Sequence, residues 1–317
     1  MLKYLINRVL VNIPTLFAIL AAVFLLISMA PGDPVDAFVP PTASLTPEQK
    51  EALRHEMGLD RPLPVRFAHW LGQVAQGDLG YRYKDGSKVF DEIARRVQPT
   101  LVLALAGLTG GSLLGVALGL LSARRHNSAT DHILSFGAYV AISSPAFLVG
   151  ILGLYFFSLK LGWFPAGGYS DPGRGDWKDI AYHLVLPAAA LSVQFVAIMM
   201  RYTRSGLLEV MTQDYIRTAR AKGVKRNKVL LRHAFPNTLI PIVTVIGANF
   251  GSLIGGAVFI ETVLSWPGMG TLFLDGIESR DYPLIMGITL FMALAILLVN
   301  MLTDLVYSWV DPRITLR

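Results

Sequence analysis

The sequence has 317 residues, 53% hydrophobic and only 16% charged, with a mean hydropathy of +0.50 and a formal net charge of +6. A soluble domain of this length carries about a quarter charged residues, so an ordinary water-soluble enzyme does not fit. Cysteine is absent, which removes disulfide and thiol chemistry.

Six runs lack any Asp, Glu, Lys or Arg: residues 9–30, 100–123, 133–158, 185–200, 237–260 and 285–303. Most reach the ~20 residues a helix needs to cross a bilayer, and 185–200 is expected to extend into its flanks. The prediction is an all-α membrane protein with six spanning helices. The first run could end a signal peptide at Ser28-Met29-Ala30, but it exceeds a signal's apolar core of about 7–15 residues. Residues 1–30 are therefore read as N-terminus and first span.

Residues 31–99 are too long for a simple connector. Thr46, Pro47 and Gln49 form a helix-start signature, with that helix ending at Gly58. Further helices are expected at 66–76, stopped by Gly77, and at 87–97, stopped before Pro99. The segment reads as a small amphipathic subdomain against the outer membrane face.

Residues 100–310 form the core. In the second run Gly107, Gly111, Gly115 and Gly119 fall four apart, and in the fifth Gly247, Gly251 and Gly255 do the same. Such rows let backbones approach closely. They serve either packing within the bundle or a face that slides on, or pairs with, another subunit. Ser143-Ser144-Pro145 lies in mid-run, where proline frees a carbonyl and tends to kink the helix. These residues either line a polar path or form a satisfied kink. Gln194, Asn249 and Asn300 are further polar points, candidates for pathway lining or for helix–helix hydrogen bonds.

Residues 201–236 carry nine Lys/Arg against Glu209 and Asp214. With six spans, 1–8, 124–132, 201–236 and 304–317 share one side and hold fifteen Lys/Arg against five acids. The opposite segments hold thirteen against seventeen. The positive-inside rule then puts both termini, the basic loop and the tail 311–317 in the cytoplasm. Topology accounts for the charge, so nucleic acid is not the expected partner.

No apolar run carries an ionisable group of the kind that ion-driven transporters keep at membrane depth. No phosphate-cradling G-x-x-x-x-G-K-[ST] loop is present either, so no catalytic residue, metal or cofactor is expected in this chain. A bundle without an energy source is passive or driven from outside. In the basic loop Thr218, Ala219, Ala221 and Gly223 interleave with Arg217, Arg220, Lys222, Lys225 and Arg226. Ala219 and Gly223 share a face that would admit a partner surface. Gly223 can take a left-handed turn and end a helix there, with a second helix near 224–234. Such a hook is a docking element.

Arg217-Thr218-Ala219, three residues, Gly223, nine more, then His233, one residue, Phe235 and Pro236 resemble the E-A-A-x3-G-x9-I-x-L-P loop of permeases of ABC importers. Arg217 stands for the glutamate, Thr218 for the first alanine, and His233 and Phe235 for the apolar positions. The longer string DYIRTARAKG resembles the dipeptide, oligopeptide and nickel branch of inner-membrane permeases. So do the N-terminal MLKYLINRVLVNIPTLF, MGLDRPLPVRF with QGDLG, ETVLSWPGMG through RDYP, and the terminal DPRI. The long first outer segment matches the first permease of the pair.

That resemblance implies a type I importer fold in a bacterial inner membrane. It also implies a second homologous permease, two cytoplasmic ATPases binding ATP and Mg, and an extracytoplasmic substrate-binding protein. The substrate would be a di- or oligopeptide, with glutathione or chelated nickel as relatives. The competing reading is a membrane scaffold or insertase-like subunit whose basic loop binds a cytoplasmic partner.

Overall fold

The computed structural model describes residues 2–32, 34–35 and 46–310. The tail 311–317, which includes the DPRI segment, lies outside them. Among the described residues the chain is helical without a strand, apart from one antiparallel bridge between Tyr81 and Lys88. The helices are α1 (Leu2–Met29), α2 (Pro47–Glu56), α3 (Leu63–Ala75), α4 (Val89–Arg124), α5 (Ala129–Ser143), α6 (Ala146–Gly153), α7 (Trp177–Val210), α8 (Asp214–Ala221), α9 (Arg226–Lys228), α10 (Phe235–Val263), α11 (Met269–Glu278) and α12 (Tyr282–Val310). Wider-pitched π-helical turns follow α6 at Leu154–Lys160 and α9 at Val229–Ala234.

Four helices are long and apolar enough to cross a membrane unbroken: Leu10–Met29, Val89–Arg124, Trp177–Val210 and Tyr282–Thr303. Two more candidates are bent. Ala129–Ser143 and Ala146–Lys160 meet at 105°, and Arg226–Leu239 meets Pro241–Asn249 at 47°. Six spans result if each bent pair crosses.

The chain divides into two compact units, residues 1–98 with 268–298 and residues 99–267 with 299–317. In the first, Leu20 and Phe24 of α1 pack with Met286 of α12, and Phe67 and Trp70 of α3 close over them. Phe67 stands edge-on to Phe17 at 5.5 Å. The expected capping box is formed: Gln49 N–H donates to Thr46 Oγ1, and Thr46 N–H donates to Gln49 Oε1 at 2.9 Å. A second cluster joins Val89 and Ile93 to Met269, Leu272, Leu284 and Ile288. Beside it, nearly buried Arg82 donates to Asp275 at 2.6 Å and Asp281 at 3.4 Å, and Lys84 donates to Asp275 at 2.9 Å. These bonds tie the 81–88 turn to α11.

The helix expected to stop before Pro99 does not stop. α4 runs through Pro99 into the second span. Proline gives up one ladder bond, but its own carbonyl accepts from buried Trp266 Nε1 at 3.0 Å, and the adjacent Thr100 hydroxyl donates to buried Glu261 at 2.8 Å. Tertiary bonds outweigh the local stop signal.

In the second unit the α4 glycines meet α7 one for one. A β-carbon at Gly107 would touch Leu191, one at Gly111 Phe195, one at Gly115 Met199, and one at Gly119 Thr203. Both series rise together, so α4 and α7 run parallel. The chain between them must therefore return to the side on which α4 begins. Its contacts agree: Asp131 meets Arg204, Ser144 meets Gln194, Gly153 meets Leu186, and Trp163 meets Tyr182, in antiparallel order. The 105° pair is thus a broken span and not a re-entrant loop. α10 opposes α4 in the same way, with Glu261 at Thr100 and Arg226 at Arg124. Segments 124–132 and 201–236 consequently share one end of this unit.

Candidate coupling site

The basic segment folds as a hook at that end. Val210 closes α7, and Gln213 precedes α8, whose buried Ile216 and half-buried Ala219 face inward. They join Ala123 of α4, Leu207 of α7 and, past the turn, Val229, Leu230 and Ala234. Fully burying one such aliphatic side chain is worth about 1.5–3 kcal/mol, so the hook has a firm apolar footing.

Gly223 ends α8 at φ +79. The Gly223 N–H donates to Arg220 O at 2.9 Å and the Val224 N–H to Ala219 O at 3.2 Å, the paired bonds of a glycine-terminated helix. A β-carbon at Gly223 would meet nothing within 4 Å among the described residues, so only the backbone conformation demands glycine.

Several expectations need correction here. Ala219 turns toward the bundle because it shares a helix face with Ile216, and Ala221 is the exposed small residue of α8. The second arm of the hook is helical, as expected, and continues beyond Ala234. It starts at Arg226 and runs through the π-helical turns into α10, past exposed Pro236. The wider pitch of residues 229–234 accommodates a residue with no N–H, so Pro236 sits in the first turn of α10 and does not end the loop. Arg226 is more than a rim charge, since its Nη2 donates to Arg124 O, the last carbonyl of α4, at 2.9 Å.

The exposed face left to solvent carries Arg217, Thr218, Arg220, Ala221, Lys222 and Lys225. Thr218 Oγ1 donates to Asp214 O at 3.0 Å, and Arg217 makes only a solvated pair with Asp214 at 3.5 Å. The face is cationic and stands on the apolar footing of Ile216.

Sequence reasoning passed over its brace. Buried Asp131 accepts from Arg204 through Nε and Nη2 at 2.7 and 2.8 Å, from the Asn127 N–H at 3.0 Å and from Ser122 Oγ. This forked pair clamps the 125–131 turn to α7. The available signal was Asp131, the lone acid in a short basic segment.

The polar points within the spans are mostly occupied. Gln194 Nε2 donates to Ser144 O at 2.6 Å, and Ser144 Oγ to Val140 O at 2.8 Å. The expected kink at Pro145 is a full break, and Gln194 satisfies the carbonyl it frees. Ser143 and Pro145 remain exposed. Asn249 donates to Val245 O of its own helix at 2.8 Å, and Asn300 is exposed. Gly247 lies so close to Thr303 that a β-carbon would overlap it; one at Gly255 would meet nothing within 4 Å among the described residues, and Gly251 lies between them on α10. In the 266–270 turn Trp266, Met269 and Gly270 are buried.

A family model described as the inner membrane component of binding-protein-dependent transport systems matches residues 115–316. Its companion for the N-terminal part of the same membrane component matches residues 1–104. The chain belongs to this family. The permease is 46% identical over 316 residues, 99% of each chain, to a protein of Brucella ovis named as a peptide permease. It is 39% identical over 314 residues, again 99% of each chain, to the glutathione transport system permease protein of Escherichia coli strain K12. Among solved structures, an inward-facing form of the MetNI methionine ABC transporter aligns with a TM-score of 0.58 at 17% identity, covering 69% of this permease and 96% of that chain. That likeness bears on fold alone, and the fold is that of an ABC importer permease. The permease is a multi-pass subunit of the inner membrane.

Proposed function

We propose that the permease forms half of the translocation pathway of an ATP-driven importer for di- and oligopeptides or glutathione. α8 docks on a cytoplasmic ATPase. Its partners are a second related permease, two ATPases holding ATP and Mg, and an extracytoplasmic binding protein. Both termini and the hook face the cytoplasm, as the charge distribution favours. Relatives named for peptide and glutathione transport support a peptidic cargo over chelated nickel.

The observation that carries the coupling role is the exposed cationic face of α8, held on a buried apolar footing and ended by Gly223. A lipid-surface helix would turn large apolar groups outward. Here the exposed residues between the cations are Thr218 and Ala221.

The cysteine-free chain permits a direct test. In the assembled complex, Ala221→Cys should cross-link to an ATPase subunit while inward Ala219→Cys should not. If mild detergent recovers no ATPase with the permease, and neither cysteine cross-links, the basic loop binds something else and the scaffold reading takes over. Competition uptake with dipeptides, longer peptides, glutathione and nickel then assigns the cargo.

A further inference from the structure

A cluster of ligand-type side chains lies at the opposite end of the second unit from the hook. Asp171 sits in the connector after the broken span, and Asp179 and His183 stand one turn apart at the start of α7. One carboxylate oxygen of each aspartate and one ring nitrogen of His183 lie within 4.8 Å of one another.

The hydrogen bonds around the cluster fix how it is used. His183 has a side chain only 3% exposed, and its Nδ1 lies 3.0 Å from Asp179 O, one turn back on the same helix. A carbonyl accepts only, so Nδ1 is the donor in that contact and Nε2 is the ring nitrogen left for a ligand. Nε2 makes no hydrogen bond among the described residues and faces Asp171 Oδ1 at 3.6 Å.

Asp179 is equally constrained. Its Oδ2 accepts the Asp171 N–H at 2.8 Å and the Gly175 N–H at 3.4 Å, which leaves Oδ1 on the histidine side, 3.4 Å from Nδ1. A ring N–H given to a backbone carbonyl and a carboxylate steered by backbone amides are the outer-shell pattern of metal-ligating His and Asp. A cation lying between Nε2 and Asp171 Oδ1 would bond to both.

We propose that Asp171, Asp179 and His183 bind a divalent transition-metal ion that clips the 161–176 connector to the start of α7. A buried imidazole beside two carboxylates suits Zn²⁺, Ni²⁺ or Co²⁺ better than Mg²⁺ or Ca²⁺, which take oxygen ligands alone. Asp171 is half-exposed, 54% by side chain, so the ion enters from that side and water completes its shell.

The competing arrangement is an imidazolium held between two carboxylates, which needs no metal. The test uses the full complex in detergent, stripped with EDTA and supplied with ZnCl₂, NiCl₂, CoCl₂ or MgCl₂ alone. Expected is one saturable equivalent of Zn²⁺ per permease, a higher unfolding midpoint, and Co²⁺ visible bands of an N/O site. Mg²⁺ should do none of this. Asp171→Asn, at the exposed ligand and so least harmful to folding, should weaken Zn²⁺ binding roughly tenfold or more. His183→Gln should abolish the Co²⁺ bands. Zn²⁺ binding unchanged in Asp171→Asn places the metal elsewhere and overturns the proposal. No midpoint shift with any metal overturns it in favour of the imidazolium bridge.

Discussion

Gly223 is where the coupling reading is most exposed to disproof. Its φ of +79 lies in the left-handed region, and a β-carbon there meets nothing within 4 Å among the described residues. A substitution therefore costs backbone strain and no steric clash with the permease itself, about 1–2 kcal/mol for an ordinary residue. The β-branched valine should fall at or above the upper end, and alanine within the range. Asparagine visits this region readily and should cost the least. Since the strain acts on the paired bonds to Arg220 and Ala219, about 2 kcal/mol would shift a formed α8 end some thirtyfold toward the frayed state. No span is touched, so insertion should be normal. The assay is substrate uptake together with ATPase retention, at matched membrane levels, for Gly223→Asn, Gly223→Ala and Gly223→Val. Activity should fall in that order. Wild-type uptake by Gly223→Val would mean that the turn is unimportant; equal loss with asparagine and valine would mean that any side chain blocks the docked partner, and turn geometry would not be the cause.

Other outcomes follow from the same structure. Gly115→Ala should destabilise the purified permease by about 1–3 kcal/mol, because its β-carbon would lie 2.7 Å from Val196 O, whereas Gly110→Ala, with open space, should be neutral or stabilising by up to ~1 kcal/mol; thermal unfolding of the two decides. Gln194→Leu should leave Ser144 O without its donor and cost about 1–3 kcal/mol, and it should raise hydrogen exchange around residues 141–149. Burial pushes the Asp275 carboxyl up, but hydrogen bonds from Lys84 and Arg82 outweigh it and hold the group below its ordinary range. A depressed carboxylate contributes stability above its unfolded value of about 3.9 and loses it as pH falls through the folded one. Hydrogen-exchange protection of residues 81–88, taken against the intrinsic rate at each pH, should therefore fall below about pH 4 in the wild type. Asp275→Asn should be less protected at neutral pH and lack that acid limb; the same acid limb in both would assign the effect to another group.

Much of this architecture is readable in the sequence because membrane burial is enforced over long stretches. A run without charge has few other places to go, so the spans and the shared end of segments 124–132 and 201–236 follow from residue types alone. Local chemistry was just as legible where it is self-contained, as at Thr46 with Gln49 and at Gly223, whose bonds reach only a few residues along the chain. The misreadings share one cause. Pro99 was read as a stop because nothing local announces that Trp266 will bond its carbonyl. Ser144 was read as a kink because Gln194, fifty residues on, decides how far the chain can open. Ala219 was turned the wrong way because a polar-faced helix shows its apolar side only through Ile216. The Asp171, Asp179 and His183 group spans a loop, and no spacing rule brings a loop carboxylate to a helix.

The glycine row of α4 has a further consequence for movement. Gly107, Gly111, Gly115 and Gly119 each hold one tooth of α7, at Leu191, Phe195, Met199 and Thr203. With a rise of about 1.5 Å per residue, the next matching position along this rack is ~6 Å away. Any smaller slip drives teeth onto the ridges between notches, and all four must climb together. The pair is geared to travel as one plank, beside a neighbouring span whose helical ladder is interrupted at Ser144–Pro145 and pinned to that plank by the amide of Gln194.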